Sequence, residues 1–159
     1  MATSKEIIKL FIVIIMIGMM TSCLPSQKCL FVGNGFSLEH WEGPIPKHGI
    51  LYRYKKGSNF SILEQKSEDD FKAEIWQPTH KQPPMLIVRF TEYGNHISTE
   101  SDYKLVLDNK IQYRIYNLES GSFETGCLLN AGKVNRCDIP GTDGIDIPYA
   151  KGCGEPVKN

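Results

Sequence analysis

Five cysteines offer the most versatile chemistry in this 159-residue chain: Cys23, Cys29, Cys127, Cys137 and Cys153. A thiol can pair with another thiol, ligate zinc or be alkylated, and spacing separates these fates. Structural zinc sites use cysteine pairs about two to four residues apart, and the chain has none at that spacing. His40, His48, His80 and His96 are scattered, so no metal and no other cofactor is expected. Disulfides remain, and an odd count leaves one cysteine outside any paired framework.

Glu39-His40-Trp41-Glu42 is the other chemically rich cluster. It could set an acid and a base beside an aromatic wall. Its plainer reading seats Trp41 at the core edge and leaves its polar neighbours in water. Asp138, Asp143 and Asp146 lack the alternating acids of a calcium loop and read as turn residues. "GNGF" at residues 33–36 is a lone G-x-G, better explained by a turn. G-x-S-x-G, H-E-x-x-H and the phosphate-cradling G-x-x-x-x-G-K are absent from the sequence, and no enzymatic activity is expected. With 18 acidic and 18 basic residues, the charge balance points away from a nucleic-acid partner.

The amino terminus decides which cysteine stands apart. Residues 1–9 are polar and carry Lys5 and Lys9, and residues 10–20, "LFIVIIMIGMM", carry no charge. That run is shorter than the roughly 20 apolar residues a spanning helix needs and fits the apolar region of a secretory signal. Met20-Thr21-Ser22-Cys23 then resembles the lipobox of bacterial lipoproteins, with Met20 where leucine is commoner and Glu6 an unusual acid in the basic start. The resemblance implies alkylation of Cys23 by a diacylglycerol, cleavage before it and acylation of the new amino group. Segment 1–22 is then a signal peptide, 23–28 a lipidated tether and 29–159 the folded domain. Each buried methylene adds about 0.8 kcal/mol of membrane affinity, so three acyl chains hold permanently. Leu24 follows the anchor, where lipoproteins kept at the inner membrane often carry Asp. The resemblance therefore implies the periplasmic leaflet of the outer membrane.

With Cys23 used as anchor, Cys29, Cys127, Cys137 and Cys153 form an even set in an oxidising compartment. Four cysteines allow three pairings. The short loop "CLLNAGKVNRC" favours Cys127–Cys137, which leaves Cys29–Cys153 to tie the start of the domain to its end.

Short alternating segments dominate the remainder. Ile50, Tyr52 and Tyr54 share one face of a half-buried strand, Arg53 and Lys55 the other. "FSIL" at residues 60–63 could pair with it across "KKGSN". Phe71, Ala73 and Ile75 alternate with Lys72 and Glu74 in the next strand, and Pro78 ends it. "MLIVRF" is apolar on both faces over residues 85–88 and predicts a central strand covered on both sides. In "YKLVLDNKIQYRI", a three-residue loop, Asp108-Asn109-Lys110, opposes Leu107 to Ile111, Leu105 to Tyr113 and Tyr103 to Ile115. A two-residue loop would mix the faces, so burial demands the longer one. One loop residue must then adopt a left-handed backbone, which Asn109 tolerates better than Lys110. The Gly- and Pro-rich tail from Asp138 predicts ordered loop held by Cys153.

About seven short strands with turns between them predict an all-β domain, an antiparallel sandwich or small barrel stapled by disulfides. Tyrosines, tryptophans and mixed charge supply interface anchors. The expected function is a membrane-anchored binding module with a protein partner. The architecture resembles small periplasmic immunity or inhibitor lipoproteins, some of which accompany type VI secretion effectors, through a "YRI" strand followed by "GC…VNRC". A structural or assembly role in an envelope complex is the alternative.

Overall fold

The computed structural model describes residues 32–33, 35–68, 71–77, 79, 82–90, 97–123, 126–141, 144–148 and 150–157. The signal-like segment, the tether, Cys23 and Cys29 lie outside the described residues. Strands follow the chain as β1 (Val32–Gly33), β2 (Gly35–Glu39), β3 (Gly49–Lys55), β4 (Leu63–Ser67), β5 (Phe71–Trp76), β6 (Met85–Phe90) and β7 (Ile97–Ser98). They continue as β8 (Ser101–Leu107), β9 (Ile111–Phe123), β10 (Gly126–Val134), β11 (Cys137–Ile139) and β12 (Asp146–Ile147). A four-residue helix α1 (Ala150–Cys153) and β13 (Glu155–Pro156) complete the described elements.

Two sheets stack as a sandwich. The larger runs β11-β10-β9-β8-β3-β4, with β13 added beside β9, and the smaller runs β12-β2-β6-β5. Neighbours pair antiparallel except β12, which lies parallel to β2. Phe36, Leu38, Leu86, Val88, Phe90 and Ile147 face inward from the small sheet. Leu51, Tyr103, Leu105, Leu107, Tyr113 and Ile115 meet them from the large one. Burying an aliphatic or aromatic side chain of this size contributes about 1.5–3 kcal/mol, so this inner layer dominates the fold's stability.

The β8–β9 hairpin takes the register that burial demands: Tyr103 opposes Ile115, Leu105 opposes Tyr113 and Leu107 opposes Ile111. Both Asp108 and Asn109 adopt left-handed backbone, with φ of 48° and 54°. The Asp108 carboxylate accepts the N–H groups of Lys47 and His48 at 2.9 Å, pinning the chain before β3 to this turn. β5 also forms as expected, in full register with β6.

Four expectations are corrected. β3 buries Leu51 against the small sheet, while Ile50, Tyr52 and Tyr54 point to the opposite face. "FSIL" contributes only Leu63 to β4, because Phe60 takes a φ of 60° and stays in the loop. β6 is covered on one face alone: Leu86, Val88 and Phe90 are buried and Arg89 is exposed. The tail is not plain loop, since β12 extends the small sheet and β13 the large one. Around "GNGF", Gly33 ends β1 and Gly35 begins β2, so those glycines are strand residues.

Gly49 is the contact where one sheet grips the other. The Phe71 ring from β5 lies against its α-carbon, and a β-carbon there would enter the ring. Phe71 in turn packs on Phe90, 5.8 Å between ring centroids. Gly49→Ala should lower stability by about 1–3 kcal/mol, the usual effect of overpacking, as read by urea unfolding. An unchanged midpoint would show that Phe71 does not brace the two sheets.

Candidate functional site

The large sheet has a second face, turned away from the core. Antiparallel pairing places Tyr52 opposite Lys104, Tyr54 opposite Asp102, and Lys104 opposite Arg114 on that face. The connection from β3 to β4 folds back over it. Phe60 lands edge-on to Tyr54, centroids 5.3 Å apart, and edge-on to Tyr116 at 6.1 Å. Such edge contacts are favourable geometries for aromatic quadrupoles.

A cavity of about 460 Å³ opens beneath this loop. Phe60 and Tyr116 give it aromatic walls, Arg114 and Arg136 basic ones, and Asp102 and Glu155 acidic ones. The Arg114 guanidinium sits 5.9 Å from the Phe60 centroid, and Lys104 Nζ sits 4.5 Å from the Tyr52 centroid. Both are cation–π distances.

Hydrogen bonds hold the loop at both ends. Gly57 N–H donates to Asp102 Oδ2 at 2.8 Å. Lys56 Nζ donates to the carbonyls of Thr99 and Leu118 at 2.7 and 2.8 Å. Ser58 N–H bonds back to Lys55, and Ser61 N–H to Ser58. These contacts sustain a left-handed Phe60, a conformation that costs a bulky residue about 1–3 kcal/mol.

Left-handed backbone concentrates around this cavity, and at Phe60 it is strained. Eight described residues have positive φ, and five of them, Gly57, Asn59, Phe60, Asn117 and Asn135, line it. Backbone held in such conformations clusters at ligand clamps and switch regions. Asn135 is the most connected. Its N–H donates to the Arg114 carbonyl, and its Oδ1 accepts the Arg114 N–H, each at 2.8 Å. Nδ2 donates to the carbonyls of Gln112 and Cys153, and the Asn135 carbonyl accepts the Tyr116 hydroxyl. One residue thus fixes the Arg114 backbone and the Tyr116 hydroxyl.

Burial raises the Tyr54 hydroxyl above its ordinary value, and the Arg114 charge partly offsets that. Tyr113, fully buried on the inner side of β9, is pushed well above 10.0 by burial.

A second groove, about 260 Å³, lies between the ends of β2 and β5 and is lined by Glu39, His40, Trp76, Gln82, Pro83 and Met85. Its aromatic wall is Trp76, which is 51% exposed. Trp41 instead packs on the core edge and donates from Nε1 to the Pro44 carbonyl at 3.2 Å. Asp138 is engaged by Lys133, and Asp143 lies outside the described residues.

The expected disulfide pairing is overturned. Cys137 bonds Cys153, which excludes both Cys127–Cys137 and Cys29–Cys153. The reason is geometric. "CLLNAGKV" is extended strand, with Cys127 opposite Ser122 and Val134 opposite Cys137. At about 3.3 Å per residue Cys127 stands roughly 20 Å from Cys137, far beyond disulfide reach. Asn130 and Gly132, within the segment expected to be a short loop, lie where β-bulges shift the register. Cys127 is itself disulfide-bonded, to a cysteine outside the described residues.

Sequence reasoning missed Phe60, Asn135 and the cations. A signal for the cations was present: the register that opposes Leu105 to Tyr113 also opposes Lys104 to Arg114. No family model, curated protein or solved structure matches this chain.

Asn135→Ala should cost about 2–4 kcal/mol, because it leaves buried backbone groups unpaired and removes a residue tolerant of left-handed backbone. Loss of less than 0.5 kcal/mol in chemical denaturation would contradict the network described. Stability should also fall as pH rises above about 10. There unfolded tyrosines ionise while Tyr113 stays neutral, with a slope of about 1.4 kcal/mol per pH unit for that group. Tyr113→Phe should flatten this slope, and an identical slope in the variant would refute the assignment.

Proposed function

We propose that this chain is a lipid-anchored binding module of the bacterial cell envelope, and in its most specific form an immunity or inhibitor protein that neutralises a toxin or envelope-attacking enzyme. The cavity carries the binding part of this reading. Aromatic rings, two arginines and strained backbone converge on one rigid, solvent-facing patch, and Tyr and Arg are enriched among interface hot spots.

The anchor rests on the lipobox-like segment and on thiol arithmetic. Cys127, Cys137 and Cys153 are all disulfide-bonded, and Cys137 bonds Cys153. Five cysteines then leave Cys23 and Cys29 to supply one partner for Cys127 and one odd sulfur. Lipidation of Cys23 uses that odd sulfur and assigns Cys29 to Cys127.

Exposed apolar residues on the outermost strands favour the second reading, a structural part of an envelope complex. Leu63 on β4 and Ile75 and Trp76 on β5 are 52%, 40% and 51% exposed. Edge strands with such side chains are ready surfaces for strand addition.

Intact mass of the membrane-extracted protein should show a chain starting at triacylated Cys23, and non-reducing peptide mapping should link Cys29 to Cys127. A chain starting at Met1 with free Cys23 removes the anchor. Deleting the gene in a host carrying the active toxin should cause self-intoxication. Healthy deletion cells that still receive active toxin would reject the immunity role, and crosslinking only to membrane-complex subunits would favour assembly.

A further inference from the structure

We propose that Arg114, backed by Lys104 and Arg136, forms a socket for a single carboxylate side chain of the partner protein, with Phe60 and Tyr116 packing against that residue's aliphatic stem. This assignment rests on the reading of the chain as a protein-binding module.

The starting observation is a local conflict. Lys104 and Arg114 stand directly opposite each other in the β8–β9 ladder. Like charges in that relation destabilise a sheet. Neither forms an ion pair with a carboxylate among the described residues, although other exposed cations do: Arg53 with Glu64, Lys66 with Glu68, Arg89 with Glu74 and Lys133 with Asp138. Aromatic faces hold the two cations instead, Tyr52 under Lys104 and Phe60 near Arg114. A ring orients a cation without neutralising it, so the charge stays available to an incoming anion.

The cavity's own acids do not fill that role. Asp102 is 4% exposed and its Oδ2 accepts the Gly57 N–H. Glu155 lies on the wall formed by β13, paired in register with Gln112. In the lining Arg114 and Arg136 balance Asp102 and Glu155, and Lys104, opposite Arg114 in the ladder but outside the lining, adds one positive charge. That balance suits one monoanionic carboxylate better than a phosphate dianion. The planar guanidinium fork of Arg114 also matches a carboxylate in bidentate geometry. Arg136 donates through Nη2 to the Gly152 carbonyl at 2.9 Å, so its head is held in place.

The socket is preformed. Asn135 bonds the Arg114 backbone on both its N–H and carbonyl, and Gly57 and Lys56 clamp the loop that carries Phe60. Little ordering remains to oppose binding, which is what a hot spot requires.

The test uses the full chain, ¹⁵N-labelled and held in detergent micelles, titrated with N-acetyl-glutamate N-methylamide, its glutamine counterpart and inorganic phosphate. The glutamate probe should shift the Phe60, Arg114 and Tyr116 amide signals saturably, and the glutamine probe should not. Arg114→Ala should raise the half-saturating concentration about tenfold, the effect of removing a charge-assisted bidentate contact. Arg114→Lys should fall between, and Arg89→Ala should match the wild type. Unchanged Leu86 and Val88 signals certify the fold of each variant. Equal response to the glutamine probe, no saturable shift, an unaffected Arg114→Ala, or tighter binding of phosphate would each overturn the socket. A chain that captures its partner yet ignores the glutamate probe loses the socket alone. One that binds the probe through Arg114 while its deletion leaves a toxin-exposed host healthy loses the immunity reading alone.

Discussion

Side chains alternate strictly along a strand, and in the β8–β9 hairpin that constraint sets both faces at once. Tyr103, Leu105 and Leu107 must meet Ile115, Tyr113 and Ile111 to close the core. The residues between them are then committed to the outer face, with Lys104 against Arg114 and Val106 against Gln112. A slip of one residue would bury two cations, which is far costlier than any rearrangement of the outer surface. Core burial therefore enforces a repulsive pair that no surface preference would choose.

The outer face needs rigidity that a single sheet layer does not supply. It comes from the β3–β4 loop above and from the β10–β11 turn at the side. Left-handed residues appear in both, at Asn59 and Phe60 in the loop and Asn135 in the turn. Asn135 is bonded directly to Arg114 of β9, and the loop that carries Asn59 and Phe60 is tied to β8 through the Gly57 N–H and Asp102. The Cys137–Cys153 bond joins β11 to the end of α1, close to the Asn135 amide that bonds the Cys153 carbonyl. In the chain-entropy picture a link across 16 residues adds about 3 kcal/mol, enough to hold the tail beside the site.

Much of this was legible in the sequence where a single buried face dictated the answer. β5 and the β8–β9 register follow from alternation and loop length alone. Legibility failed where a segment served two surfaces. Ile50, Tyr52 and Tyr54 look like a core face because they are apolar or aromatic, yet they point away from the small sheet, and Phe60 of the loop packs on Tyr54. β10 was hidden by Asn130 and Gly132, turn-forming residues absorbed by bulges, and that error carried the disulfide pairing with it. Phe60 gave no warning, because only tertiary hydrogen bonds make an aromatic residue adopt left-handed backbone. The site was half-visible: its cations followed from the register, its lid did not.

The parallel pairing of β12 with β2 joins two of the most distant pieces of the described chain. Together with β13 on β9, it means that segments late in the described chain supply a strand to each of the two stacked sheets. A nascent polypeptide cannot satisfy the outer hydrogen-bonding row of β2 until residues 146–147 have been made. Such long-range closure is slow and leaves intermediates with adhesive edges. Any cell making this protein must keep those unfinished molecules apart until β12 has been made, so a chain cut before residue 146 would be a sticky fragment.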